Sequence, residues 1–331
     1  AANNPYISIC TSSNNFPTTA GAYDQIYNGN QDACIFKMNP TLTSLVWSTF
    51  LGGSGVDIAF SIRLDANNDI YVVGGTEGAG FPTTIGSYKP VYQGNVDGFI
   101  SHLTNNGTTL AASTFYGTSL FDMTYFLDLD ANDNVYVHGV TKGTITPTTG
   151  VYSNPGSGQF ISKLTPSLNS ILYTTIFGNG IPNSLANSFS PTAFMVDVCE
   201  NVYAAGWGKT TNFSVSPNAV QSTTDGQDFY LIVLTKNAVS LTYATYYGDP
   251  TEWEHVDGGT SRFDKNGMIY EAVCAGGNLF PTLPAAYSPS NQTGTWDCAV
   301  FKIDFQSVGV TAQAQPSPED TICTNSSVSF S

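Results

Sequence analysis

The chain alternates short apolar, β-branched and aromatic runs with polar stretches rich in Gly, Pro, Asn and Asp. Such runs read as strands and the punctuation as turns. Residues 125–130, 135–141, 159–164 and 171–177 form one set of four, its first two members joined by an Asn/Asp turn. Almost no stretch carries the 3.6-residue periodicity of an amphipathic helix, so the pattern predicts an all-β chain.

The sets repeat. Asp65-Ala-Asn-Asn-Asp-Ile-Tyr71 returns as Asp130-Ala-Asn-Asp-Asn-Val-Tyr136, Asp197-Val-Cys-Glu-Asn-Val-Tyr203 and Asp264-Lys-Asn-Gly-Met-Ile-Tyr270. The closing tyrosines are spaced 65, 67 and 67 residues apart, and the same step backwards reaches Tyr6. Phe-Pro-Thr-Thr occurs at Phe16 and Phe81, and Phe-Pro-Thr-Leu at Phe280, with weaker echoes at Ile145 and Phe213. An Asp precedes an apolar strand at Asp32, Asp97, Asp228 and Asp297. A Ser/Thr-rich run ending near Gly starts at Ser48, Ser113, Thr174 and Ala244. Coincident markers at one pitch define a repeat architecture. Four antiparallel strands per unit predict a β-propeller of four-stranded blades, about five of them visible. The blades are expected at 1–50 (partial), 58–116, 123–177, 192–247 and 257–315, together one propeller over 1–315.

The first blade has no inner strand, and an unpaired strand edge invites aggregation. The chain is therefore expected to continue upstream and supply that strand, with further blades. The other reading is a five-bladed ring closed by residues 308–314. Residues 316–320 read as a linker by their Pro and acid content, and 321–331 as the opening strand of a further β domain.

Composition narrows the function. Among 331 residues, Lys+Arg number 10 and Asp+Glu 25, a net charge of −15. A nucleic-acid partner needs clustered cations, so this balance argues against one. No apolar run reaches the ~20 residues of a membrane-spanning helix, and residues 1–6 lack the basic and apolar regions of a signal peptide. The hydrophobic share of 41% is ample for a core.

Six cysteines are present. Cys10 and Cys34 are 24 apart, as are Cys274 and Cys298, at matching repeat positions on strands two and three. Neighbouring strands reach bonding distance, so the spacing predicts disulfides Cys10–Cys34 and Cys274–Cys298, and with them an oxidising compartment. Cys199 and Cys323 are left over, Cys323 expected to pair within the further domain.

No catalytic constellation is visible. There is no Gly-x-Ser-x-Gly elbow and no zinc spacing of His and Cys. His102 and His138 read as side chains filling blade faces. His255, in Trp253-Glu-His-Val-Asp257, is the one histidine beside carboxylates; Glu252, Glu254 and Asp257 offer the pair a glycosidase requires. The Asp65-x-Asn67-x-Asp69 and Asp130-x-Asn132-x-Asn134 turns begin like an EF-hand loop but lack its Gly at position six and Glu at position twelve. They read as hairpin turns with Asx side chains capping backbone N–H groups. No cofactor is expected, and the net acidity leaves calcium open elsewhere. Propeller topology gathers the Phe-Pro-Thr-Thr links and the crossovers between blades on one loop-rich face. That face holds the candidate binding residues Asp57, Asp122, Glu252, Trp253 and His255; aromatics beside acids suit sugar stacking with hydroxyl recognition. Phe16, Phe81 and Phe280 are expected to fold inward instead, since a residue recurring in every blade serves the repeat.

These strings resemble the seven-bladed β-propeller (SBBP) repeats of large secreted bacterial proteins. The resemblance is carried by Asn134-Val-Tyr-Val-His-Gly-Val-Thr141, Phe16-Pro-Thr-Thr-Ala-Gly-Ala-Tyr23, Asp32-Ala-Cys-Ile-Phe-Lys-Met38 and Ser48-Thr-Phe-Leu-Gly-Gly53, and spans roughly residues 2–310. Val202-Tyr-Ala-Ala-Gly-Trp-Gly208, Tyr270-Glu-Ala-Val-Cys274 and Val300-Phe-Lys-Ile-Asp304 are similar to the closing blades of gliding-motility-associated multidomain Bacteroidetes proteins. The third repeat departs from the pattern, lacking the Phe before Pro147 and the Asp before its third strand. The resemblance implies a seven-bladed ring, a PKD-like β-sandwich opening near residue 321, and type IX secretion. Asp320-Thr321-Ile322 also matches the Asp-Ser/Thr-apolar context for O-glycosylation in that group, at Thr321. The implied role is a non-enzymatic module of a secreted or cell-surface protein, in adhesion or binding of a glycan or protein partner. Its other implied partners are further domains of the same chain and the secretion machinery. Two other roles stand beside it: a polysaccharide hydrolase or lyase, and an architectural part of a surface assembly.

Overall fold

A computed structural model describes residues 3–181, 189–256, 261–264, 266–291 and 296–305. Asp257, the 308–314 stretch, the 316–320 linker, the 321–331 segment with Thr321, and Cys323 lie outside the described residues. The described residues hold strands and turns but no α-helix. The fold is all-β, built of four-stranded antiparallel sheets in a repeated arrangement of propeller type. Its contacts divide it into two compact units, one of residues 1–149 with 153–184, the other of 150–152 with 185–331.

The first unit contains three sheets. Blade one has β1 (Tyr6–Thr11), β2 (Asp32–Met38) and β3 (Leu45–Leu51), with no inner strand among the described residues. Blade two is β4 (Asp57–Leu64), β5 (Ile70–Thr76), β6 (Asp97–Leu103) and β7 (Leu110–Tyr116); blade three is β8 (Asp122–Leu129), β9 (Val135–Thr141), β10 (Gln159–Leu164) and β11 (Ile171–Phe177). The second unit contains two. Blade four is β12 (Phe189–Val196), β13 (Val202–Gly208), β14 (Phe229–Leu234) and β15 (Leu241–Tyr247). In blade five the short β16 (Glu254–His255) and β17 (Arg262–Phe263) both pair with β18 (Met268–Gly276), and β19 (Trp296–Asp304) lies on its other side.

Middle strands such as β5 and β9 are buried along their whole length, so both faces meet protein. Their sequences are accordingly continuous apolar runs rather than alternating ones. Inner strands bulge opposite a glycine: β4 between Ala59 and Ser61, β8 between Thr124 and Phe126. A Cβ at Gly74 or Gly139 would fall 1.8 or 2.2 Å from the Ile58 or Met123 carbonyl and strike the ring of Phe99 or Phe160, so only glycine fits.

The Phe-Pro-Thr-Thr links serve the blade. Phe81 is 3% exposed and stacks on Phe99 at 4.3 Å, while Phe16 packs on Phe36 and Phe50, and Phe280 on Tyr247 and Phe301. The second Thr of the string donates its N–H to the fourth strand, Thr19 to Ser48 O and Thr84 to Ser113 O. Ser216 does the same to Ala244 O in blade four. The Asn/Asp turns are Asx-capped. Asp65 Oδ1 accepts N–H groups from Asn67 and Asp69 at 2.8 Å, and Asp130, Asp197 and Asp264 repeat the pattern.

The cysteine expectations need correction. The β1–β2 register pairs Ile9 with Cys34 and Cys10 with Ala33, so the two cysteines point to opposite faces. Both carry thiols. Equal spacing along the chain does not make two side chains face, because one residue of offset reverses a face. Cys274 and Cys298 do pair directly across β18 and β19, yet they too are thiols. Cys199, by contrast, is disulfide-bonded.

Candidate functional site

Asp57 and Asp122, the first two candidate binding residues, are fully buried. Each begins an inner strand and ties down the crossover before it: Asp57 Oδ2 accepts the Gly53 N–H at 2.7 Å, and Asp122 Oδ2 accepts the Thr118 N–H at 2.6 Å. Neither presents its carboxylate to solvent. Each faces a second buried acid across a glycine. A Cβ at Gly52 would touch Asp57 and Asp32, and one at Gly117 would touch Asp122 and Asp97. Burial raises all four carboxyl pKa values, that of Asp97 to about 6 with a further push from Asp122.

The crossover into blade five is different. Glu254 occupies the inner-strand acid position and is again fully buried, its Oε1 accepting the Asp249 N–H at 2.8 Å. Its Oε2 has no hydrogen-bond partner among the described residues, and Gly248 separates it from Asp228. Burial first, then the charge of Asp228, lifts its pKa to about 9, so Glu254 is protonated at neutral pH. Glu252 is exposed on the same loop, and Asp249 binds back to the Thr251 N–H and hydroxyl at 2.9 and 2.8 Å.

Around this loop the chain gathers three of its four tryptophans. The His255 ring lies 5.0 Å from Trp296, 5.8 Å from Trp207 and 6.3 Å from Trp253, and Trp253 meets Trp296 edge-on at 5.3 Å. Trp253 is 44% and Trp296 38% exposed. Register explains the gathering. His255 pairs with Cys274 and Cys274 with Cys298, while Trp296 pairs with Gly276 two residues along the same face. Between β19 and the Phe280 link, a cavity of about 800 Å³ is lined by Tyr247, Phe280, Tyr287, Asn291 and Asp297.

Of the expected binding residues, the structure thus brings together Glu252, Trp253 and His255 and leaves Asp57 and Asp122 buried in other blades. Trp207 and Trp296 were missed. They lie 48 and 41 residues from His255 along the chain, and only strand pairing joins them. The one signal was the concentration of a rare residue type in the last two repeats. The other histidines are structural in setting. His138 is fully buried, its Nε2 3.3 Å from Gln159 Oε1, and desolvation lowers its pKa to about 4. His102 stacks on Tyr71.

No family model and no curated protein matches the chain. Among solved structures it is similar to a polysaccharide lyase of family PL25, an ulvan lyase, with 11% identity and a TM-score of 0.43. The alignment covers 81% of this chain and 65% of that one, so the chain spans less than two thirds of that protein's length. The likeness assigns no activity. It does correct the expectation of a non-enzyme: the neighbour is an enzyme. Scanning for short motifs overlooks groups that strand pairing assembles, so missing motifs do not exclude chemistry.

Proposed function

We propose that this chain engages a polysaccharide through blade five, with sugar rings stacking on Trp253 and Trp296. One observation carries the reading: two exposed tryptophans and His255 share a surface. Indole faces bind the apolar C–H faces of pyranose rings, and nearby polar groups, here Glu252, Asn291 and Asp297, take the hydroxyls. A polysaccharide partner accords with a secreted or cell-surface protein of the SBBP-repeat kind. A second reading, cleavage of the bound chain, rests on His255: an imidazole placed beside a stacked sugar is a proton-transfer group.

Affinity electrophoresis and calorimetry against neutral and uronate-containing polysaccharides test the first reading. Trp296→Ala is expected to weaken binding at least tenfold relative to wild type; equal affinity overturns it. Release of reducing ends or unsaturated products, abolished by His255→Ala, supports cleavage, and binding without turnover rejects it.

A further inference from the structure

The Asn/Asp turn closes the same end of every blade, and in blade three its charges cancel. Asp130 Oδ2 accepts Lys163 Nζ at 2.8 Å and Asn134 Nδ2 at 2.9 Å. The Lys163 ammonium also lies 4.8 Å above the Tyr136 ring. Lysine fills that place over the turn tyrosine in blades one and five as well, as Lys37 over Tyr6 and Lys302 over Tyr270. Blade four has Asn201 donating to Asp197 Oδ2 at 2.9 Å, with the Tyr203 hydroxyl at 3.1 Å.

Blade two breaks the pattern at two positions. Asp69 stands where blades three and four have Asn, and His102 stands where three blades have Lys. The His102 ring stacks on Tyr71 at 4.1 Å and 13°, the place of the lysine chain. Its Nε2 is buried without a hydrogen-bond partner, 3.8 Å from Asp69 Oδ2. Asp65 Oδ1 is committed to the turn and Asp69 Oδ1 to the Asn105 N–H at 2.7 Å. One ligand atom from each of Asp65, Asp69 and His102 lies within 4.8 Å of the other two. Relative to blade three, an amide has become a carboxylate and an ammonium an imidazole. One negative charge is gained and the fixed positive charge of the ammonium is lost at the same spot.

We propose that Asp65, Asp69 and His102 bind a divalent cation that takes the place of the lysine ammonium. The donor set selects the ion. Two carboxylates with an imidazole suit Zn²⁺ or Mn²⁺ rather than Ca²⁺ or Mg²⁺, which favour all-oxygen shells. Donors within 4.8 Å of one another need only small side-chain shifts to reach the 2.0–2.2 Å of zinc bonds. A cavity of about 540 Å³ is lined by His102, Tyr71, Thr84 and Asn169.

The test is calorimetric titration of dialysed protein with Zn²⁺ and Mn²⁺, alongside metal analysis and melting curves. Cys10→Ser/Cys274→Ser/Cys298→Ser serves as the background, so that the accessible thiols do not compete for zinc. One equivalent of Zn²⁺ should bind and raise the melting temperature. Asp69→Asn/His102→Lys rebuilds the blade-three arrangement, and that variant should fold, melt independently of metal and lose the equivalent. His102→Ala should lower the affinity at least tenfold. Absence of stoichiometric binding by the background protein overturns the proposal, as does undiminished binding by Asp69→Asn/His102→Lys.

Discussion

The crossover from β7 to β8 and the crossover from β15 to β16 both leave a Tyr-Gly pair, Tyr116-Gly117 or Tyr247-Gly248, and both end on a buried acid. Only the second carries a surface of exposed aromatics. In the first, the Thr118 N–H reaches Asp122 four residues on; in the second, the Asp249 N–H reaches Glu254 five residues on. One inserted residue lengthens the loop, and the longer Glu side chain recovers the same backbone contact. The base of the crossover is thereby retained while the surface above it changes to Glu252, Trp253 and His255. A repeat can thus acquire a site by a small insertion, provided the buried acid still holds the turn.

The largest effect should come from removing that acid. Glu254→Ala and Asp122→Ala each strand a backbone N–H and empty a buried polar site, which should cost about 2–4 kcal/mol in denaturant unfolding. A neutral Glu254→Ala would show that the longer crossover no longer depends on its acid.

A second test is the pH profile, which should separate the two regions. A carboxyl with a raised folded-state pKa holds its proton more tightly when folded. Its stabilising contribution is complete below the ordinary carboxylate range and is lost as pH climbs through the folded value. For Asp97, at about 6, the loss is over by about pH 6. For Glu254, at about 9, and the buried Glu271, at about 8, it continues to about pH 9. Hydrogen exchange of β15 and β18 amides should therefore lose protection between pH 6 and 9 while β7 and β9 hold theirs, and Glu254→Gln should flatten the difference. Asp130 has the opposite sign. Burial is outweighed there by Lys163 and the turn donors, its pKa is lowered, and its contribution is lost only as pH falls below the ordinary carboxylate range.

A smaller contrast concerns thiols. Mild oxidation should join Cys274 to Cys298, which face each other across β18 and β19, and leave Cys10 and Cys34 reduced, as peptide mapping would show. The smallest effect on stability is expected for Trp253→Ala, within about 0.5 kcal/mol because the side chain lies at the surface. The same variant should weaken polysaccharide binding.

Strand positions were legible because β-branched runs between Asn/Asp turns recur at one pitch. The set 135–141, 159–164 and 171–177 coincides with β9, β10 and β11, and the first strand, expected at 125–130, runs from Asp122 to Leu129. Glu252, Trp253 and His255 were legible as a local string. The partners Trp207 and Trp296 were not, since nothing along the chain says that β13 and β19 bring them to His255. The misread thiol pair Cys10 and Cys34 has the same origin, a register set by hydrogen bonding across strands rather than by spacing.

Sequence alone determined the all-β class, the repeat and the Asx-capped turns, because these follow from local backbone preference and from periodicity that each segment carries within itself. Tertiary structure decided which acids are buried as pairs, which tryptophans share a surface and where His102 replaces a lysine over its tyrosine. Those outcomes depend on which strands pair and in what register, and a displacement of a single residue moves a side chain from one face of a sheet to the other.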